Sequence, residues 1–203
     1  HKTATDLHAA GVSIAAVVDI RQNAPPSQDY EVIAGGQVVN STGRLGLTSI
    51  DISLPDGSTR TLPCGALGMS GGWNPNIHIT SHHRGHPVWN EEIAAFGPPD
   101  NGPVGLSVAG AALGNFTTAG ALASGSSKAN TILKNLGIKE NKLALPLAED
   151  APANMTPFWY VEGCSRAWLD QQNDVTVKDV KLSHQENFVS VEHLKRYTTL
   201  GMA

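Results

Sequence analysis

Four histidines lie within nine residues of one short stretch, and histidine is the side chain most often used to bind metal ions. The stretch reads SGGWNPNIHITSHHRGHP from its first serine, and its histidines are His78, His82, His83 and His86. A zinc site needs three or four ligands that converge on one point, with ordered partners behind them. Glycine and proline break this stretch too often for a helix with ligands four residues apart. We therefore interpret it as a polar loop and predict no metal site.

The beginning of the same stretch has the composition of a ligand-binding turn. Gly72 permits unusual backbone angles, Pro75 holds Asn74 in an extended conformation, and Trp73 offers a flat apolar face. Ligands of parallel α/β sheets bind at turns that follow the carboxyl ends of strands. The alternative is an ordinary loop with a buried tryptophan.

A second candidate turn lies in SVAGAALG, which ends at Gly114. Gly110, Ala111 and Ala112 have little or no side chain, so backbone amides at the start of the following helix could approach a pyrophosphate closely. Tight packing of a helix on a sheet would need the same small residues. The spacing alone leaves these two interpretations open.

An acid closes the apolar segment VSIAAVVD. In a dinucleotide-binding unit, an acid at the position of Asp19 can accept hydrogen bonds from the adenosine ribose hydroxyls. The alternative is a solvated residue at the end of a strand. The glycine-rich turn that normally accompanies such an acid is not in this sequence, so ribose binding remains a hypothesis.

The elements that position these residues follow from periodicity and turn chemistry. HKTATDLHAAG predicts a helix that stops at Gly11, and the apolar run after it predicts a buried parallel strand. Because a helix leads directly into that strand, we expect the chain to be part of a longer protein. Further strands are predicted in EVIAGGQVV, RLGLTSIDISL, STRTL (after the turn PDGS), 66–70 and 104–114, and helices in the segment beginning NFTTAG, in 177–186 after Thr176 and in 191–199 after Ser190.

Composition excludes several classes of function. The net charge is −4 and only 16% of residues are charged, so there is no basic surface for nucleic acid. No apolar run approaches the roughly 18 residues of a membrane span. Cys64 and Cys164 form neither a redox motif nor a disulfide framework, which favours a reducing, cytoplasmic setting. No nucleophile–base pair or pair of carboxylates suggests a catalytic residue.

Four segments together resemble one family. DLHAAGVSIAAVVDIR, SGGWNPNIH, SVAGAALGNFTTAGALASG and DVTVKDVKLSHQENFVSVEHLKRYTTLGMA are similar, in this order, to the middle of the alpha subunit of heterotetrameric sarcosine oxidase. The resemblance covers essentially the whole chain, and SVEHLKRYTTLGMA is its most specific part. Alpha subunits of this family are longer. They have an amino-terminal nucleotide-binding segment and a carboxyl-terminal folate-binding domain.

The resemblance implies an α/β fold, namely part of a two-dinucleotide-binding, Rossmann-type reductase architecture followed by a small helical module. The implied division is 1–65 as part of an inserted second nucleotide-binding-like domain, 66–136 as the returning part of the first domain, 137–157 as a linker and 158–203 as the helical module. By position, the residues implied to border the nucleotide are Gly72, Trp73, Asn74, Pro75, Gly110, Ala111 and Ala112.

The resemblance also implies the activity and the partners. The whole complex oxidises sarcosine with oxygen to glycine, hydrogen peroxide and a one-carbon unit, released as formaldehyde or passed to tetrahydrofolate. The alpha subunit holds NAD, while FAD and FMN are held mainly by or with the beta subunit, and gamma and delta subunits complete the complex. This part supplies scaffold and a portion of the NAD site, no catalytic side chain, and no activity on its own.

Two departures from related enzymes keep alternatives open. Related reductases have Gly-Asp where this chain has Gly110-Ala111, and alanine cannot accept the hydrogen bond of a flavin ribityl or ribose hydroxyl. The segment from 158 onward resembles an iron–sulfur module of amine and opine dehydrogenases, yet Cys164 stands alone there, with Asp170 and Asp174 where thiolates are needed. The alternatives are a subunit of an opine- or amine-dehydrogenase-like complex, and a non-catalytic interaction module that has lost nucleotide binding.

Overall fold

The computed structural model describes residues 1–82, 85–100, 102–140, 143–150, 155–164 and 166–202. These residues group into two compact units, one of His1–Met69 with Phe158–Ala203 and one of Ser70–Pro157. The helices are α1 (Lys2–Ala9), α2 (Thr118–Asn135), α3 (Val177–Gln185) and α4 (Val191–Thr198). The strands are β1 (Val17–Asp19), β2 (Val32–Ala34), β3 (Gln37–Thr42), β4 (Ser49–Ser53), β5 (Thr59–Pro63), β6 (Val88–Asn90), β7 (Ala95–Gly97), β8 (Trp168–Asp170) and β9 (Val175–Thr176).

The amino-terminal part of the first unit confirms the predicted helix and strand. Helix α1 ends where Gly11 takes a left-handed φ of +86° and donates its N–H to the carbonyl of His8. Strand β1 follows and pairs in parallel with β2, with Val18 opposite Ile33. The apolar run that precedes Asp19 is thus only partly a strand, because its first residues have no pairing partner among the described residues.

A three-stranded antiparallel sheet carries the core of the first unit. Its order is β3-β4-β5, and the predicted PDGS turn joins β4 to β5, where Asp56 accepts a hydrogen bond from the N–H of Ser58. Ile50 and Ile52 of β4 are 3% and 0% exposed and pack with Ile33 of β2. The parallel pair therefore packs on this sheet through shared aliphatic contacts.

The carboxyl-terminal part of the first unit is a small module of two strands and two helices. Strand β8 pairs antiparallel with β9, and Thr176 stands at the N-cap of α3 with its backbone N–H donated to the carboxylate of Asp179 at 2.7 Å. Phe188 and Tyr197 stack with ring centroids 4.6 Å apart. The helices predicted after Thr176 and Ser190 are confirmed, each within one residue of its predicted end.

The second unit contains a short hairpin, β6-β7, and the long helix α2. Trp89 and Phe96 make an edge-to-face contact across this hairpin, with centroids 5.2 Å apart. Helix α2 confirms the helix predicted from the segment NFTTAGALASG. Two single turns of 3₁₀ helix, Ile79–Ser81 and Gly110–Leu113, lie in the connections.

Two predicted strands are absent from the described residues. Residues 66–70 and 104–109 are neither strand nor helix, and Met69 and Val104 are almost fully exposed. Short apolar runs form strands only where a neighbouring strand accepts their hydrogen bonds, and the described residues supply none here. The fold is mixed α/β, as expected.

None of the four helices combines the length and the hydropathy that a membrane span requires, within the residues the structure describes.

Candidate nucleotide-binding site

The turn at Gly72 is exposed, and a residue of the same unit that is distant in the sequence contacts it. Gly72 has a φ of +97°, a value that glycine adopts without strain. The next N–H, that of Trp73, donates to the sulfur of Met155 at 3.3 Å, and this sulfur lies 2.5 Å from where a β-carbon on Gly72 would be. The indole of Trp73 is 70% exposed, so the alternative interpretation, an ordinary loop with a buried tryptophan, does not describe this turn. An exposed flat ring beside a glycine turn can stack on a planar ligand.

The turn at Gly110 is a single turn of 3₁₀ helix rather than the end of a strand. Gly110 has a φ of +65°, and its N–H donates to the hydroxyl of Ser124 at 2.8 Å. A β-carbon on Gly110 would lie 3.6 Å from that of Ala121. The turn therefore packs against α2, and the N–H of Gly110 is already used within the protein. Both interpretations of the small residues, close packing and ligand approach, fit this geometry.

The amino terminus of α2 holds two oxygen acceptors from the chain itself. The hydroxyl of Thr117 accepts from the N–H of Gly120 at 3.1 Å. A carboxylate oxygen of Asp150 accepts from the N–H of Ala119 at 2.6 Å. Helix amino termini attract anions because their first N–H groups have no partner within the helix. Asp150 therefore lies where the phosphate of a nucleotide would be attracted.

A cavity of about 270 Å³ lies beside the Gly110 turn in the second unit. Leu113 of the turn, Lys128 of α2 and the buried Thr80 line it, together with Asp100 and residues of the 98–108 segment. Its volume falls below the range of about 300–1,000 Å³ that is typical of small-molecule sites. A cavity of this size admits part of a dinucleotide and not the whole.

A second cavity, of about 360 Å³, lies in the carboxyl-terminal module. Asp174 and Asp179 line it, along with Leu182 and Tyr197. Two carboxylates with no cation among the lining residues repel phosphate groups, whereas Lys128 lines the first cavity beside Asp100, so the second cavity suits a nucleotide less well.

Asp19, the candidate ribose-binding acid, belongs to the first unit and is occupied by neighbouring side chains. Its two oxygens accept from the guanidinium of Arg21, the shortest contact being 2.6 Å, and one oxygen lies 2.8 Å from the imidazole of His1. The hydrogen bond from Arg21 holds the pKa of Asp19 below its ordinary value. A ribose hydroxyl would have to share or displace these partners.

The described histidines of the second unit do not converge on one point. His78 precedes the 3₁₀ turn Ile79–Ser81 and His82 follows it, and these two residues and His86 are exposed. His83 lies outside the described residues. Among the residues that the structure does describe, no group of three or more His, Cys, Asp or Glu side chains could hold a metal ion.

Asp170 lies in the carboxyl-terminal module, at a position where an iron–sulfur cluster would need a thiolate. Its carboxylate is a hydrogen-bond acceptor. It accepts from the backbone N–H groups of Gln172, Asn173 and Gly201 and from the amide of Asn173. These bonds, the largest from the Asn173 side chain, lower the pKa of Asp170 to about 2. One carboxylate thus joins the β8–β9 turn to the residues after α4.

Two residues of this site were not anticipated from the sequence. Asp150 and Met155 lie in a proline-containing segment without periodicity, and their partners are 31 and 82 residues away. No local signal identifies such contacts. The acid at a helix amino terminus is a general rule, but the rule does not say which distant acid will fill the position.

Known proteins resemble this chain along almost its whole length. The sarcosine oxidase subunit alpha of Rhizobium meliloti (strain 1021) is 36% identical over 98% of this chain and 21% of its own length. The proteins of the same name from Corynebacterium sp. strains P-1 and U-96 are 31% and 32% identical over 98% of this chain, and over 22% and 23% of their own lengths. The family described as the sarcosine oxidase A3 domain matches residues 164–203. The chain spans about a fifth of the length of these relatives.

Proposed function

The chain corresponds over 98% of its length to an internal segment of sarcosine oxidase alpha subunits, and from this premise we propose that it serves in a complex that oxidises sarcosine. Sarcosine, oxygen and water give glycine, formaldehyde and hydrogen peroxide, and tetrahydrofolate can take up the one-carbon unit. The observation that carries this proposal is the continuous similarity to three alpha subunits and to the A3 domain family.

Within the complex, this part acts as scaffold and as part of an NAD site. Gly72–Pro75 and Gly110–Ala112 are the residues that would border the nucleotide. The exposed ring of Trp73 and the left-handed glycines at both turns support this role. NAD would be held here as a bound nucleotide, and the oxidation of sarcosine by oxygen, as balanced above, does not consume it. The residues of this chain would only bind and orient it, and the fold would be part of a two-dinucleotide-binding, Rossmann-type architecture.

In this proposal, the flavins bind mainly outside this chain. FAD and FMN would be held mainly by or with the beta subunit, because Ala111 offers no acceptor for a ribityl or ribose hydroxyl. Tetrahydrofolate would bind a domain outside this chain. Gamma and delta subunits complete the assembly, which we place in the cytoplasm because both cysteines are free thiols.

A second candidate function is a module that no longer binds nucleotide. The contacts of Asp19 with Arg21 and of Asp150 with α2 favour it, since both acids are engaged within the protein. An opine- or amine-dehydrogenase-like complex is a third candidate. It would need four cysteines in the terminal module, where the sequence has only Cys164.

The test of the proposed function uses the complete reading frame that encodes this chain, co-expressed with the neighbouring subunits. Hydrogen peroxide should form in proportion to added sarcosine, and tetrahydrofolate should lower the yield of free formaldehyde. Dye reduction by another amine, without peroxide from sarcosine, would assign the chain to the dehydrogenase class instead.

A further inference from the structure

The sulfur of Met155 is a nucleophilic group that the proposed function does not use. It accepts the backbone N–H of Trp73 at 3.3 Å, across 82 residues of sequence, and this hydrogen bond is exposed to solvent. The side chain of Met155 is half-buried, while Gly72 and Trp73 are exposed. A dissolved oxidant can therefore reach the sulfur. The hydrogen bond occupies one lone pair of the thioether and leaves the other available for reaction.

The same sulfur lies close to the backbone of the turn. It is 2.5 Å from where a β-carbon on Gly72 would be, so it occupies space that any other residue would fill with its own side chain. Gly72 also has a φ of +97°, which glycine adopts without strain. This fit depends on a thioether, because a methionine sulfoxide is larger, polar and chiral at sulfur.

We propose that Met155 is an oxidative modification site, and that its conversion to the sulfoxide by hydrogen peroxide releases the turn at Gly72 and Trp73. The available lone pair attacks one peroxide oxygen and the O–O bond breaks. The sulfur gains that oxygen and is oxidised by two electrons, while the second oxygen takes the remaining protons and leaves as water. Only the source of the oxidant rests on the proposed function, since a sarcosine-oxidising complex forms hydrogen peroxide.

Oxidation changes the turn because the acceptor of the Trp73 N–H is lost. The sulfur of a sulfoxide is electron-poor and accepts hydrogen bonds poorly, and its new oxygen is polar and takes its hydrogen bonds from water at this exposed position. The other methionines of the chain, Met69 and Met202, are 89% and 55% exposed. Within the described part of the chain no hydrogen bond reaches either of their sulfurs, so their oxidation has no comparable consequence.

The test follows the modification and the turn together in the complete complex treated with added hydrogen peroxide. Peptide mass spectrometry should detect the sulfoxide at Met155. Hydrogen–deuterium exchange on the millisecond scale should become about three- to tenfold faster in the peptide that contains Trp73, the change that corresponds to loss of one hydrogen bond. Reduction by methionine sulfoxide reductases of both stereospecificities should restore the original exchange rate.

Met155→Leu nearly conserves the volume and apolar character of the side chain and removes the sulfur. In this variant, exchange at the turn should be fast from the start and should not respond to peroxide. Met69→Leu is the matched control and should respond as the unmodified complex does. Unchanged exchange although Met155 is oxidised, or an unoxidised Met155 when Met69 is fully oxidised, would overturn the inference.

Sarcosine in place of added peroxide tests the source of the oxidant. Oxidation of Met155 during turnover of sarcosine, prevented by catalase, would support both the modification site and the proposed function. Oxidation by added peroxide alone, with no peroxide formed from sarcosine, would support the site and count against the proposed function.

Discussion

Asp170 makes hydrogen bonds to two separate segments of the carboxyl-terminal module. Its carboxylate accepts three backbone N–H groups and one side-chain amide, including the N–H of Gly201 beyond α4. A carboxylate with several such bonds prefers its charged form, which is why its pKa falls to about 2. In this module, the hydrogen bonds to one acid connect the β8–β9 turn to the residues after α4.

Because its pKa is lowered, the carboxylate of Asp170 should stabilise the fold at neutral pH and stop doing so in acid. Because its folded pKa of about 2 lies below the ordinary value of 3.8, this contribution is complete above about pH 5 and is lost as the pH falls through about 2. Asp170→Asn should therefore lower the melting temperature by a few degrees at pH 6, and the difference from the unmodified chain should vanish near pH 2. Thermal unfolding followed by circular dichroism measures both.

Glu162→Gln provides the control for this prediction, since it removes an exposed acid of the same unit. A constant difference between Asp170→Asn and the unmodified chain across the whole pH range would show that the carboxylate charge is not what stabilises the module.

Single residues differ in how far the sequence predicts them. Gly110 stands out because small residues cluster around it, and its φ of +65° agrees with the need for glycine. Asp150 does not stand out, because its role depends on a helix end 31 residues away. The sequence also could not show that Trp73 is exposed, since exposure depends on which elements pack around a loop.

Among the elements, strand β4 organises the first unit. It lies between β3 and β5, and its inward residues Ile50 and Ile52 form the core with Ile33. Gly36 shows how closely this core is packed, because a β-carbon there would lie 2.8 Å from a methyl carbon of Ile33. The unit has few fully buried residues, so each one matters to its stability.

Truncation of Ile52, the fully buried residue of β4, should strongly destabilise the fold. Ile52→Ala removes a side chain that is 0% exposed and should lower the free energy of unfolding by about 2–5 kcal/mol. Leu45→Ala, at a position that is 100% exposed in the same unit, should change it by less than about 0.5 kcal/mol. Urea denaturation of both variants tests this pair, and equal losses would contradict the assigned core.

Elements with local signals were predicted well, and elements that depend on distant partners were not. Helices α3 and α4 begin after Thr176 and Ser190, residue types that favour the N-cap position, although the side chain of Ser190 makes no capping hydrogen bond. The hairpin at PDGS is equally local. Residues 66–70 and 104–109 are as apolar as true strands, yet strand formation also needs a neighbouring edge, and none of the described residues provides one.

At the scale of the whole molecule, large apolar side chains remain exposed in both units. Trp159 and Met202 of the first unit and Trp73 and Leu147 of the second are each more than half exposed. The relatives are four to five times longer than this chain, since the matched part is 21–23% of their length. We expect further parts of a larger assembly to cover these side chains, which would explain why each unit has so small a core of its own.

The family was identifiable from the sequence because the distinctive segments occur in the family's order along the chain. The comparisons confirm this identification. The sequence identifies the nucleotide site less directly than the family, because Gly72–Pro75 and Gly110–Ala112 are assigned only by their position. Their geometry suits both a ligand and close packing.

We propose that this chain contributes an NAD site to a sarcosine-oxidising complex, and the NAD content of the purified complex tests this proposal most directly. The unmodified complex should retain close to one NAD per alpha subunit. Gly110→Val should lose most of it, because a β-branched residue is strained at a φ of +65° and reshapes the turn. Gly125→Ala, in α2 with open space around it, should retain NAD as the unmodified complex does. Equal NAD content in all three, or none in the unmodified complex, would contradict the account.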